Sequence, residues 1–205
     1  MSEQRPLYAM AFIDGQNLFQ HAKAAFGHHH PNYDPVRLHQ AVCRAHNWVP
    51  NLVRFYTGVP DISRDPSWHG YWMRRVLALK RAGVVVTTRR LQYRYRDAFD
   101  EYGELKQIEI AQEKGVDIRI ALDIVRLART RQYDVAVIYS QDQDINEVVE
   151  EVWDIASEQN REVVLASAFP AGPNATFQRG INNTQWIKID QQTYDSCLDH
   201  RDYRL

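Results

Sequence analysis

Cysteine is scarce in this 205-residue sequence, which has only Cys43 and Cys197. Two thiols cannot build the bridge framework that staples small secreted folds. Stability must therefore come from a packed core, which a chain of this length is able to bury. A reducing, cytoplasmic setting is expected. Apolar runs are short as well, and none nears the roughly 20 residues that cross a bilayer as a helix. The opening MSEQRPLYAM lacks the charged-then-apolar pattern of a secretion signal, so no membrane partner is expected. An excess of one charge is also missing, with 25 Lys and Arg against 26 Asp and Glu. The whole-protein field does not announce a nucleic-acid binder, and any such binding needs a local basic patch. Glycine is sparse, with nine residues. Gly15 stands alone after the first apolar run, which argues against a glycine-rich dinucleotide turn. With no internal repeat or low-complexity tract, the chain 1–205 reads as one domain.

Six short runs rich in Val, Ile and aromatic residues predict strands: Tyr8–Ile13, Leu52–Thr57, Val84–Thr88, Val135–Tyr139, Glu162–Ala166 and Trp186–Ile189. Several are almost continuously apolar, as in VAVIY, which suits strands buried on both faces. Helices are expected between them, at Asn17–Phe26, from Asp34-Pro35 to His46, at Ser67–Arg81, Asp117–Thr130 and Ile145–Asn160. Asp34-Pro35 and Asp65-Pro66 each place a capping residue before a proline at the first helical position. Alternation of this kind predicts a doubly wound parallel sheet flanked by helices. Residues 96–106 (RDAFDEYGELK) and 170–173 (PAGP) read as loops.

The acids fall in a pattern. Asp14 follows YAMAFI directly, and Asp142 and Asp144 follow VAVIYS after one Gln. Both sites lie just past the C-terminal ends of expected parallel strands, where open α/β sheets bind ligands. Asp117 opens a helix, and Asp123 lies further along it. Carboxylates brought together repel unless a cation holds them. Hard oxygen donors favour Mg²⁺ or Mn²⁺, and such an ion activates water against a phosphodiester. Simpler readings exist. Asp144 and Asp117 have the position of helix caps. Asp123 has a sufficient explanation in an i,i+4 pair with Arg119. Asp14 is harder to read as a cap, because Gly15 suggests a tight turn.

At these residues the chain resembles the NYN domain family, a branch of the PIN-like ribonucleases. Phe12-Ile13-Asp14-Gly15-Gln16-Asn17-Leu18 resembles the family's opening motif. Lys114-Gly115-Val116-Asp117, with Asp123 in IALDIVRLA, resembles its central motif. Tyr133-Asp134-Val135 through Ser140, then Asp142 and Asp144, resembles its third. The three occur in order over residues 8–167, and the likeness fades in the extension 170–205. The resemblance implies a PIN-like fold, a pocket for Mg²⁺ or Mn²⁺, and endonucleolytic hydrolysis of RNA leaving 5′-phosphate ends. Asp14, Asp117, Asp142 and Asp144 match its acidic positions and would be both catalytic and metal-binding. Asp123 matches a further acid, Asn17 a polar position beside the pocket, and Ser140 a hydroxyl at the strand end. Where the family usually has Gly before the first Asp of the third motif, this chain has Gln141. A turn needing positive φ there would be strained.

Arg89-Arg90-Leu91-Gln92-Tyr93-Arg94-Tyr95-Arg96 interleaves arginine with tyrosine. In an extended segment Tyr93 and Tyr95 share one face and Arg94 and Arg96 the other. Bases stacked on tyrosine with arginine on phosphate is a way to hold a single strand. With Lys114, these residues are the candidate substrate grip. The competing reading is a charged edge strand whose arginines pair with Asp97, Asp100, Glu101 and Glu104. His28-His29-His30 reads as a solvated loop rather than a ligand set, and the tryptophans as core or interface. The closing segment 194–205 is expected to dock on the body or on a partner. RNA, single-stranded, is the expected partner, with a homodimer left open. A haloacid-dehalogenase-type phosphatase fits poorly, because Gln16 stands where its second Asp belongs. Two rivals remain: a non-hydrolytic RNA-binding module, supported by Gln141, and a small-molecule enzyme using the same acidic pocket.

Overall fold

The computed structural model describes residues 5–99, 101–175 and 177–204. Six strands form one parallel sheet: β1 (Tyr8–Asp14), β2 (Val49–Val59), β3 (Val85–Arg90), β6 (Val135–Tyr139), β7 (Val164–Pro170) and β8 (Gln185–Ile189). Their order is β3-β2-β1-β6-β7-β8. Each half winds outward from the centre, so the order reverses between β1 and β6. The doubly wound sheet expected from the apolar runs is present. Its strands extend the expected ones by up to a few residues, mostly toward the C-terminal edge.

Alternation along the central strands divides the core in two. Ala9, Ala11 and Ile13 of β1, with Val135, Val137 and Tyr139 of β6, face one layer. It is covered by α1 (Gly15–Phe26), α2 (Pro35–Ala45), α3 (Pro66–Arg81) and α6 (Gln191–Ser196). Met10, Phe12, Ala136 and Ile138 face the other, under α4 (Val116–Arg129) and α5 (Glu147–Glu158). Asp34 and Asp65 cap α2 and α3 as their Asp-Pro pairs predict. The long helix expected at Ile145–Asn160 is instead a 3₁₀ turn at Gln143–Asn146 followed by α5.

Two departures matter for the site. Residues 96–106 were expected to be a loop, but most of them belong to an antiparallel hairpin of β4 (Gln92–Phe99) and β5 (Leu105–Gln112). Its strands are largely exposed on both faces, so they lack the buried stripe that reveals a strand in sequence. Gly15 was expected to mark a tight turn. It is instead the first residue of α1, and it is not among the described residues with positive φ. Its role is close approach: a Cβ there would meet Phe55 Cζ at 2.5 Å and the Tyr56 carbonyl oxygen at 2.9 Å.

The closing segment docks on the body. Leu198 bridges to Tyr33, Arg74 Nε donates to the Tyr203 carbonyl at 2.8 Å, and the Tyr203 ring is buried beside Tyr71 and Arg75. Among the described residues, no helix is long and apolar enough to cross a membrane.

Replacing Gly15 with Ala should therefore lower stability by about 1–3 kcal/mol, the cost of overpacking. Helix propensity alone predicts a gain of up to about 1 kcal/mol. Urea unfolding of the two proteins decides between the signs.

Candidate active site

Parallel pairing of β1 with β6, Ile13 opposite Tyr139, ends both strands at one edge. Asp14 closes β1, and Ser140-Gln141-Asp142 follow β6. This is the crevice at the switch point of the sheet, where ligands of open α/β folds sit. The hairpin returns the chain to the same place. Its last residue, Gln112, leads into Glu113, Lys114 and the turn at Gly115, from which α4 starts. Gly115 has φ +77°, the left-handed region that glycine enters without cost.

One cavity of about 270 Å³ gathers these ends, lined by Asp14, Glu113, Lys114, Asp117 and Asp142 among others. Three of the expected acids thus meet. Asp144 does not line the cavity. It is exposed, and its backbone N–H donates to Asp142 Oδ1 at 3.0 Å. The cap of that turn is Asp142, not Asp144. Asp14 is likewise a cap, accepting the Asn17 N–H at 2.9 Å. Asp117 is not one: it sits in the first turn of α4, whose N-terminus has no side-chain cap.

Asp123 stands apart. It is 1 % exposed and lines none of this cavity. Arg54 and Tyr56 of β2 donate to its Oδ2, each at 2.9 Å, while Arg119 and Arg126 reach Oδ1 at 3.0 and 3.1 Å. Burial opposes its ionisation, but these hydrogen bonds and charges outweigh burial and hold the carboxyl below its ordinary value. With both oxygens engaged, it clamps α4 to β2.

Asn17 and Ser140 hold the loops. Asn17 Oδ1 accepts the Gln141 N–H at 3.0 Å, joining α1 to the end of β6. Ser140 is buried, and its Oγ accepts the Asp142 N–H at 3.1 Å. Gln141 shows no strain of the expected kind, since it is not among the described residues with positive φ. Its Nε2 donates to the carbonyls of Arg179 at 2.7 Å and Phe177 at 3.3 Å.

Glu113 escaped the sequence reading. Its carboxylate accepts the Gly58 N–H, tying β2 to the hairpin root. Burial above all, then the charge of Asp14, pushes its pKa up to about 7. The available signal was an acid directly before Lys114-Gly115, at the end of a strand with no apolar stripe. Asp14 is 6 % exposed. Burial first, with the charges of Asp142 and Asp117, pushes it up to about 6, against backbone hydrogen bonds from Asn17 and Gln16.

Among the described residues, no three His, Cys, Asp or Glu side chains stand close enough together to cage one ion. The donor set nonetheless fits a hard divalent cation. Mg²⁺ keeps several waters and takes only one or two carboxylates directly, and the carboxylates here carry mutual repulsion that a cation relieves.

The basic segment divides by register. Tyr93 opposes Ala111, and Arg94 and Arg96 oppose Ile110 and Ile108 on the other face. Tyr93 is committed, its hydroxyl accepting the Asp61 N–H at 2.9 Å with Arg64 over its ring. Arg94 and Arg96 are exposed and in no ion pair with Asp97 or Glu101 among the described residues. Asp100 lies outside the described residues. Arg89 and Arg90 end β3 at the same sheet edge and line a separate cavity with His69. Of the three consecutive histidines, His28 bonds Asp195 at 2.8 Å.

The NYN domain family model matches residues 8–187. The crystal structure of VPA0982, a protein of unknown function from Vibrio parahaemolyticus, superposes with a TM-score of 0.52 at 19% identity. The alignment covers 93% of this chain and 98% of that one, and it shows the shared fold. Ribokinase from Giardia lamblia aligns with a TM-score of 0.34 at 10% identity, over 63% of this chain and 37% of its own, too loosely to carry weight. No curated protein sequence matches the chain.

The raised pKa of Asp14 sets a stability test. The folded-state value of about 6 lies above the ordinary 3.8, so between these values the folded protein binds the proton more tightly and stability falls as pH rises. In metal-free buffer Asp14→Asn, which keeps an acceptor for the cap, should be more stable than wild type by on the order of 1–3 kcal/mol near about pH 8. Near about pH 4 the two should be equal. Asp123→Asn should do the reverse, losing about 3–5 kcal/mol at neutral pH as a broken buried pair. Thermal unfolding across pH measures both.

Proposed function

The chain belongs to the NYN domain family, a PIN-like nuclease family, and from that premise we propose that it is a metal-dependent endoribonuclease acting on single-stranded RNA. One observation carries the reading: Asp14, Asp117 and Asp142, from three separate elements, line a single cavity at the switch point of the sheet. Asp123, the structural acid further along α4, is neutralised by arginines. Asp14, Asp117 and Asp142 line one cavity together with Glu113, and Lys114 is the one cation among the described residues that line it.

Asp14 and Asp142 would hold Mg²⁺ or Mn²⁺, with Asp117 and Glu113 adding negative charge in the same cavity. When bound, the ion supplies charge neutralisation and a water acidic enough to attack a phosphodiester. The remaining work falls to the chain's own groups. Asp117 Oδ orients the attacking water. The α4 N-terminus, which lines the cavity without a side-chain cap, presents N–H donors and a favourable dipole to the scissile phosphate. Lys114 adds positive charge at the mouth. Asn17 and Ser140 act by fixing the loops that carry Asp14 and Asp142. Asp144, outside the cavity, has no part in this scheme.

The hairpin supplies the grip. Gln92 pairs with Gln112, which lines the acidic cavity, so Arg94 and Arg96 extend from the cavity along one exposed face. They favour a polyanion over a small molecule as the occupant. Gln141, whose place in the third motif favoured a non-hydrolytic module, sits in its turn without positive φ.

Labelled single-stranded RNA incubated with Mn²⁺, Mg²⁺ or EDTA tests the reaction. Wild type should cleave only with metal. Asp14→Asn should lose more than the roughly 10–100-fold that outer-sphere changes cost a metal enzyme. RNA that binds but is never cut points to the non-hydrolytic module. Arg94→Ala with Arg96→Ala should reduce the salt slope of RNA binding by about 0.7 for each arginine. An unchanged slope assigns them no contact with RNA.

A further inference from the structure

A second cavity, of about 180 Å³, opens beside the acidic one, lined by His21, Gln141, Gln143, Phe177 and Arg179. Its walls come from neighbours of the site already described. His21 lies one helical turn beyond Asn17 on α1. Gln141 precedes Asp142 in the chain. The irregular segment 177–180 is drawn in by side chains of the loop after β6. Gln141 Nε2 holds the carbonyls of Phe177 and Arg179, Gln143 Nε2 donates to the Gly180 carbonyl at 3.0 Å, and Gln143 Oε1 accepts the Asn182 N–H at 3.1 Å.

Three features ask for a ligand. Gln141 is 8 % exposed, and its Oε1 is buried without a hydrogen-bond partner. An unmet acceptor of this kind costs roughly 1–3 kcal/mol, and an N–H donor entering the cavity relieves it. The rings of His21 and Phe177 stand 6.5 Å apart at 79°, so a flat group lying on one meets the edge of the other. Phe177 is 56 % exposed although aromatic, held in place by the backbone bonds around it rather than by a core. Burial lowers the pKa of His21, so its ring is neutral at physiological pH and stacks without a charge to hydrate. The cavity is smaller than the roughly 300–1,000 Å³ of sites that enclose a whole ligand. It suits one ring of a polymer whose remainder lies outside.

We infer that this cavity is a nucleobase subsite: one base of the bound RNA stacks on Phe177, meets the edge of the His21 ring and donates an N–H to Gln141 Oε1, with Arg179 beside it for the adjoining phosphate. The inference rests on the RNA reading above, and it gives Gln141 a positive task in that reading, as both the anchor of the segment 177–180 and the acceptor for the base.

The experiment uses the full chain carrying Asp14→Asn, so that binding is measured without turnover. Fluorescence anisotropy follows a series of eight-nucleotide single-stranded RNAs, each lacking the base at one position, with and without Phe177→Ala. Thermal unfolding verifies that this exposed substitution leaves the fold intact. Phe177→Ala should weaken binding of the intact RNA roughly 5- to 100-fold, the value of one base–aromatic stack. Phe177→Tyr should restore it. For one abasic position the effect of Phe177→Ala should vanish, because the base it would stack is already gone. An equal effect on every abasic RNA, or no effect on any, overturns the subsite. Cleavage by the unmutated chain is scored separately. Cleavage with no Phe177 effect keeps the nuclease reading and removes the subsite. A base-dependent Phe177 effect without cleavage does the opposite. Absence of RNA binding removes both.

Discussion

Parallel pairing of β1 with β6 is the constraint from which the rest follows. Each strand is apolar on both faces and packs between helix layers, so its register is set by the core. Ile13 then lies opposite Tyr139, and the residues just beyond must leave the sheet together at one edge. The order β3-β2-β1-β6-β7-β8 splits the outgoing chains to either side of that point. A crevice opens there without any residue having been spent on making it. Asn17 Oδ1, taking the Gln141 N–H, closes the back of the crevice and fixes the two loops to each other.

What fills the crevice is a charge arrangement that the fold alone does not favour. Burial and neighbouring carboxylates push Asp14 up to about 6 and Glu113 up to about 7. Asp123, a few residues away on α4, shows the contrast. It too is closed off from solvent, yet two β2 side chains and two arginines of its own helix hold its carboxyl below the ordinary value. One acid is satisfied by the protein and the others are not. That difference separates a carboxylate that joins elements from carboxylates that await a cation or a proton.

Much of this was legible in sequence because it depends on local pattern. YAMAFI and VAVIY read as central strands, since only such strands are apolar on both faces, and each is followed by its acid. Asp34-Pro35 and Asp65-Pro66 announced their helices. The rest depends on contacts distant in sequence. The partners of Asp123 on β2 come from nearly seventy residues upstream, and only the Arg119 pair could be read locally. Gly15 looked like a turn residue because its real neighbours, Phe55 and Tyr56, lie on another strand. Only the start of the hairpin was glimpsed, as a charged edge strand, because an exposed two-stranded arm buries no stripe; residues 96–106 looked like loop, and Glu113 at the hairpin root was lost with the second strand. Gln141 looked like a defect in a motif until Phe177 and Arg179 proved to be what it holds; they lie beyond the three motifs, where the likeness was expected to fade, yet inside the family match over residues 8–187.

Asp14, Asp117 and Asp142 are proposed to form one site for a divalent cation, and crystals soaked in Mn²⁺ test that directly by anomalous diffraction. The expected result is one dominant peak in the cavity between these side chains, absent from crystals of the Asp14→Asn protein. A map with no peak there, or with Mn²⁺ bound only at other surface carboxylates, would contradict the account.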